Sequence, residues 1–307
     1  MRRISLIICI FSIIYLQNTI DAFSFKKMYQ YVIPPKLHEE IVYEEYPTQK
    51  LSKCTLKNKQ GNIRVKTDKQ DKIFLKAIKK SADPQTVNKL TFSHKTVGQE
   101  LVIQSSYDEL TLDGMIDFEL IVPQKLALNL ATNEGTINTK DTYAPLAAST
   151  QKGSIEAAQV YHTLDAHTDI KGDIFIRNPH KQVKAHTTNG NIYIYDAQES
   201  IIAHADYGTV QMFAKEVPST SSIKLTTISG TILLHIPADV NADLQASTKY
   251  GTITSDHFIT LKPQTTQLNK QAWKRFQKQI DGVLGSGEAQ IKLSSVKSNI
   301  KLLEMKA

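Results

Sequence analysis

One short pattern returns along the chain at nearly fixed spacing: a glycine followed two residues later by isoleucine or valine. It stands at Gly135-Thr-Ile137, Gly153-Ser-Ile155, Gly172-Asp-Ile174, Gly190-Asn-Ile192, Gly208-Thr-Val210, Gly230-Thr-Ile232 and Gly251-Thr-Ile253, with glycines 18, 19, 18, 18, 22 and 21 residues apart. A repeat of this length is one supersecondary unit. It cannot bury its apolar side alone, so the copies must stack and share a core.

The physics of one unit is readable. Val183, Ala185 and Thr187 alternate with Lys184, His186 and Thr188, the period of two of a half-buried strand. Asn189-Gly190 then turns the chain, with glycine expected to supply positive φ. Ile192 and Ile194 alternate with Tyr193 and Tyr195 in the following strand, and β-branched residues suit a pleated face. Small residues before the turn (Ala131, Ala148, Ala185, Ala203) read as inward positions where layers approach. Two longer variants reach a proline, Pro123 and Pro237, which cannot donate to a ladder and marks a corner between strands. The pattern does not distinguish parallel from mixed pairing. The fold class is all-β: a stacked β-strand repeat, a β-solenoid or β-helix-like roll, over residues 51–307.

Two segments break the β pattern. Over 266–281, Leu268, Ala272, Trp273, Phe276 and Ile280 fall on one side of a helix, opposite Lys270, Lys274, Arg275 and Lys278. This predicts a short helical insertion packed over a sheet edge. At the start, Arg2 and Arg3 precede an apolar run of about 13 residues, short of the roughly 20 that span a bilayer. Residues 1–22 therefore read as a signal peptide and 23–50 as an N-terminal arm without clear period. The expected location is the periplasm or cell surface, with a membrane anchor if the signal stays uncleaved.

Of the two cysteines, Cys9 lies in the signal, leaving Cys54 as a small buried hydrophobe with no disulfide partner. The net charge of +7 gathers in lysines between Lys50 and Lys80 and again around Lys274, Arg275 and Lys278. Export argues against nucleic acid as the partner of these cations, and leaves an envelope polymer, a membrane surface or plain solvation.

Taken together, these motifs resemble a known family. The opening Leu56-Lys-Asn-Lys-Gln-Gly61-Asn-Ile63, the strands ending at Pro123 and Pro237, the Thr-x-x-Gly-x-Ile copies and the closing Leu284-Gly-Ser-Gly287 through Ile300 are similar to the "putative adhesin" β-strand-repeat family, DUF4097. Ser298 stands where that pattern has glycine. The resemblance implies a β-helix-like stack in exported or membrane-associated proteins, with no catalytic residues.

The chain offers little chemistry of its own. No phosphate loop, dinucleotide fingerprint or nucleophile elbow occurs, and no paired carboxylates stand out as a glycosidase would need. Glu134, Asp173, Asp196 and Asp206 fall at turns. Among nine histidines, His186 and His204 lie four residues before their turn glycines and could stack, while His167 joins them only if its unit carries a bulge. They read as a surface ladder, the weak candidates for metal in a chain where no cofactor is expected. Tyr193, Tyr195, Tyr207 and Tyr250 form a candidate binding row, with Lys274, Arg275 and Lys278 as a basic surface. The expected function is non-catalytic: adhesion, scaffolding or partner binding toward an envelope protein or glycan. The alternatives are self-association into a structural β-helix and, further off, a polysaccharide-acting enzyme.

Overall fold

Strand Val183–Asn189 buries Val183, Ala185 and Thr187 and turns Lys184 and His186 outward. After Gly190, strand Ile192–Tyr195 buries Ile192 and Ile194 and turns Tyr193 and Tyr195 outward. In the computed structural model, which describes residues 36–107, 113–262 and 278–305, this two-strand coil repeats along the stack. The strands before the glycines line up in one sheet of 13 strands and those after them in a second of 12, among the described residues. Neighbouring coils pair parallel: Val183 stands between Leu164 and Ile201, and Ile192 between Ile174 and Val210. The repeats lie in one compact unit, Glu39–Ala307; of the other unit, Met1–His38, only residues 36–38 are described.

Between the sheets the inward side chains form columns. Ile63, Ile137, Ile155, Ile174, Ile192, Val210, Ile232 and Ile300 follow one another, all fully buried. Burying one such side chain contributes about 1.5–3 kcal/mol. Ala148, Ala166, Ala185 and Ala203 form a second column, as alternation implies, but Ala131 does not belong to it. The register places Leu130 opposite Ala148, and Ala131 faces out beside Ser149. The unit containing Leu130 has inward leucines at 128 and 130, so its alternation begins one residue earlier than read from sequence.

The turn glycines stack directly on one another, and their requirement is space. A Cβ on Gly190 would lie 2.0 Å from the carbonyl oxygen of Gly172, and the same holds at 1.7–2.1 Å for Gly135, Gly153, Gly172, Gly208 and Gly230 against the preceding turn. Gly190 and Gly172 do not have positive φ, which corrects the sequence-based expectation. Gly251 meets the carbonyl of Ser298, the residue standing in the glycine column of its coil.

Three residues before five of the glycines a buried threonine answers the stacked carbonyls. Thr132, Thr150, Thr187 and Thr227 donate to the carbonyls of Gly61, Gly135, Gly172 and Gly208 at 2.9–3.2 Å. Thr248 does the same to Ser298. In this column Ala205, between Thr187 and Thr227, supplies no hydroxyl.

Chain order and stack order part at both ends. The first coil, Lys53–Gln60 with Ile63–Asp68, lies between the coil of Glu100–Ser105 and Gly114–Pro123 and that of Ala127–Glu134 and Ile137–Thr142. The last, Ala289–Ser295 with Ile300–Glu304, slides between Ser222–Ser229 with Ile232–Ile236 and Ala242–Thr248 with Ile253–Ser255. Beyond them, antiparallel strands finish the sheets: Lys72–Ser81 on Gly114–Pro123, Phe92–Val97 on Glu100–Ser105, and Gln279–Leu284 on Ala242–Thr248.

Two segment boundaries differ from the sequence reading. The arm at 23–50 contains strand His38–Pro47, an edge of the post-glycine sheet. Its acids Glu40, Glu39 and Glu45 pair with Lys79, Lys80 and Lys72, so charge pairing set its register where apolar period was weak. The expected helix at 266–281 lies largely outside the described residues. Its last residues, however, are strand: Gln279–Leu284 pairs with Ala242–Thr248, because an unfilled sheet edge offered Ile280 and Val283 backbone partners that a helix end would not. The signal peptide at 1–22 also lies outside the described residues. Cys54 is fully buried, and desolvation pushes its thiol up to about 12.

Gly190→Ala is expected to lower stability by at least the 1–3 kcal/mol typical of overpacking. Gly98→Ala meets nothing within 4 Å at φ +61°, and should cost only the left-handed penalty of about 1 kcal/mol. Thermal melts giving the reverse order would contradict the space argument. Ala205→Thr is expected to add about 0.5–1.5 kcal/mol by giving the Gly190 carbonyl the hydroxyl its neighbours receive; a lower midpoint in the same melts would count against it.

Candidate functional site

Each coil sends outward two residues from its post-glycine strand, and parallel in-register pairing puts equivalent residues side by side. Phe175 and Tyr193 stack at 5.0 Å between ring centroids and 8° between planes. Two residues on, Tyr195, Phe213 and His235 stack at 5.1 and 4.1 Å, within 4° and 13° of parallel. All five rings are half-buried. Leu233 and Leu303 extend the same face, with Arg177 and Lys301 in its columns. Burial raises the Tyr193 hydroxyl above its ordinary range and lowers the His235 imidazole.

The stacking decides what this face can offer. Rings piled along a ladder spend their flat faces on one another and present edges and hydroxyls to solvent. Sugar stacking needs an open ring face, so the arrangement suits polar and edge contacts better than saccharide platforms.

Tyr193 and Tyr195 thus fall on one face as read from sequence, but Tyr207 does not join them. It ends strand Ile201–Tyr207 in the other sheet, paired with Asn189 and Ser229, and is exposed. Tyr250 stands at a turn beside Lys249, whose Nζ lies 5.0 Å from its ring centroid. Residues just before the glycine close the pre-glycine strands, so Tyr193, Tyr195, Tyr207 and Tyr250 do not form a single row. Lys274 and Arg275 lie outside the described residues. Lys278 is exposed, and its Nζ donates to the Lys249 carbonyl at 2.9 Å. Phe175, Phe213 and His235 were missed in the sequence, although aligning the repeats on their glycines puts each in an outward position beside a tyrosine.

On the pre-glycine sheet, His167, His186 and His204 occupy successive rungs. His167 joins them because its strand carries a register irregularity opposite Thr150 and Lys152, the bulge its extra residue requires. The rings stack at 4.7 and 5.2 Å. His186 Nδ1 lies 2.9 Å from His167 Nδ1, and His167 Nε2 contacts Asp169. His204 Nε2 is 2.8 Å from Asp206 Oδ1, and His186 Nε2 is 3.9 Å from the same oxygen. Burial, then the neighbouring rings of His167 and His204, lowers the His186 imidazole below its ordinary value, with Asp206 opposing. The other turn acids serve the scaffold: Asp173 accepts from the Asn191 backbone N–H at 2.7 Å, and Glu134 pairs with Lys152.

Residues 46–303 match the family model described as Toastrack DUF4097. The chain belongs to that family. No curated protein matches this Toastrack chain. Among solved structures it is similar to a protein named "putative adhesin" from Bacteroides fragilis, at 13% identity and TM-score 0.46, covering 89% of this chain and 100% of the other. It is also similar to a "putative cell adhesion protein" from Clostridium sporogenes, at 10% identity and TM-score 0.27, covering 88% and 100%. A "putative adhesin" from Parabacteroides merdae matches at 8% identity and TM-score 0.28, covering 87% and 97%.

The lowered histidines carry a pH consequence. Below about 6.5 the unfolded chain takes up protons that folded His186 and His235 resist, so stability falls as pH drops through that value toward the folded ones. His186→Gln and His235→Gln should each reduce the drop in thermal midpoint between about pH 7.5 and about pH 5.5. An undiminished drop in both variants would contradict this.

Proposed function

We propose that this Toastrack chain is an exported, non-catalytic module of the cell envelope or surface that binds a protein partner. The binding surface is the outer face of the post-glycine sheet. The observation that carries the reading is the pair of stacked ring rows, Phe175 with Tyr193 and Tyr195 with Phe213 and His235. Aromatic side chains half-exposed on a rigid parallel scaffold combine apolar area with little rotamer entropy left to lose, the character of an interface anchor. Their ring edges and hydroxyls favour protein over glycan. The reading favours a partner over a polymer of this chain, because antiparallel strands end three of the four sheet edges among the described residues, leaving only Ile253–Ser255 as a parallel edge.

Export is supported by the arginine-led apolar start at Arg2 and Arg3. The non-catalytic reading is supported by the use of the turn acids Asp173 and Glu134 in a backbone contact and an ion pair.

Site-specific photo-crosslinking in host cells tests the surface. A photo-reactive phenylalanine derivative at Phe213 is expected to capture a distinct envelope protein, and the same group at Ile202, exposed on the other sheet, is not. Adducts of the chain with itself alone, or equal capture from both positions, would sink the proposal.

A further inference from the structure

The hydrogen bonds around the histidine ladder constrain where its protons sit. Thr226 Oγ1 lies 2.8 Å from His204 Nδ1 and 3.2 Å from the Ala203 carbonyl. In the tautomer that donates its Nδ1 proton to Thr226, His204 turns a bare Nε2 toward Asp206 Oδ1, 2.8 Å away. On the other side, His167 gives its Nε2 proton to Asp169, which leaves His167 Nδ1 to accept from His186 Nδ1 at 2.9 Å. His186 then also has a bare Nε2, 3.9 Å from the same Asp206 oxygen. Two imidazole nitrogens and a carboxylate oxygen thus lie within 4.8 Å of one another, and in that tautomer a cation between them would be held by all three.

We propose that His186 Nε2, His204 Nε2 and Asp206 Oδ1 form a site for a divalent first-row transition metal, with zinc as the reference ion. Two imidazoles and one carboxylate are a ligand set for zinc, copper or nickel, and three protein ligands with an open position match sites that keep water or a partner's group as the fourth ligand. Tetrahedral ligands at about 2.0–2.2 Å stand roughly 3.4 Å apart. The ion therefore needs the 2.8 Å pair to open and the 3.9 Å pair to close, each by about half an ångström, and the two imidazole nitrogens, within 4.8 Å of one another, to close by up to about 1.4 Å. The rings can make that movement: the side chains of His186 and His204 are 36% and 37% exposed. Thr226 and His167 lie at the Nδ1 atoms of the two ligand histidines, where metal-bound histidines need an outer hydrogen-bond partner.

Titration of the untagged full chain with cobalt(II), read by visible absorption, with zinc as competitor, tests the site. The expected result is saturation at one ion per chain and displacement by zinc. His204→Ala and Asp206→Asn should abolish it, and His162→Ala, which removes a loop histidine, should leave it intact. Thr226→Val keeps all three ligands and should weaken binding about tenfold through the lost Nδ1 acceptor. Zinc should raise the thermal midpoint of the wild-type chain and not that of Asp206→Asn, a comparison that also checks that the variant folds. No saturable binding, or binding unchanged in His204→Ala or folded Asp206→Asn, would overturn the site.

Discussion

Carbonyl packs closely on glycine at the turns, and the rest of the stack depends on it. From Gly61 to Gly208 each turn glycine N–H donates to the carbonyl of the residue before the next glycine in the stack, as Gly190 does to Tyr207 at 3.0 Å. The approach leaves no room for a Cβ. A side chain there would push adjacent coils apart at one edge, and pairs such as Ile192–Val210 would lose contact along the whole rung. The hydroxyls of Thr187 and Thr227 make the crowding tolerable by giving buried carbonyls a donor where water cannot reach.

That close stacking also produces the surfaces. Because coils align without drift from rung to rung, any residue type repeated at one outward position becomes a row. Rings at one position became the Phe175–Tyr193 and Tyr195–Phe213–His235 stacks, and imidazoles at another became the His167–His186–His204 ladder. A single-residue slip would have turned both sets inward. The bulge before Gly172 keeps His167 in line despite an extra residue.

The ends obey a different rule. A parallel solenoid leaves open edges, and this chain places its first and last coils inside the stack and antiparallel strands at every sheet end but one, where the short Ile253–Ser255 is the edge of the described residues. The outermost post-glycine strand, His38–Pro47, carries Glu39, Glu40, Glu44 and Glu45, charges that discourage pairing with another edge.

The sequence alone determined the repeat, the two-strand coil, the inward Ile192 and Ile194, the outward Tyr193 and Tyr195, and the family, because period two and a glycine every turn are local signals. It also placed His186 and His204 in equivalent positions. Only the tertiary structure decided that Gly172 and Gly190 serve packing rather than positive φ, since the carbonyl each one meets belongs to another coil. The same holds for the split between Tyr193 and Tyr207, for the strand at Gln279–Leu284 where a helix was expected, and for the insertion of the final coil. Each depends on which strand lies alongside, and strand neighbours from distant parts of the chain leave no mark in local periodicity.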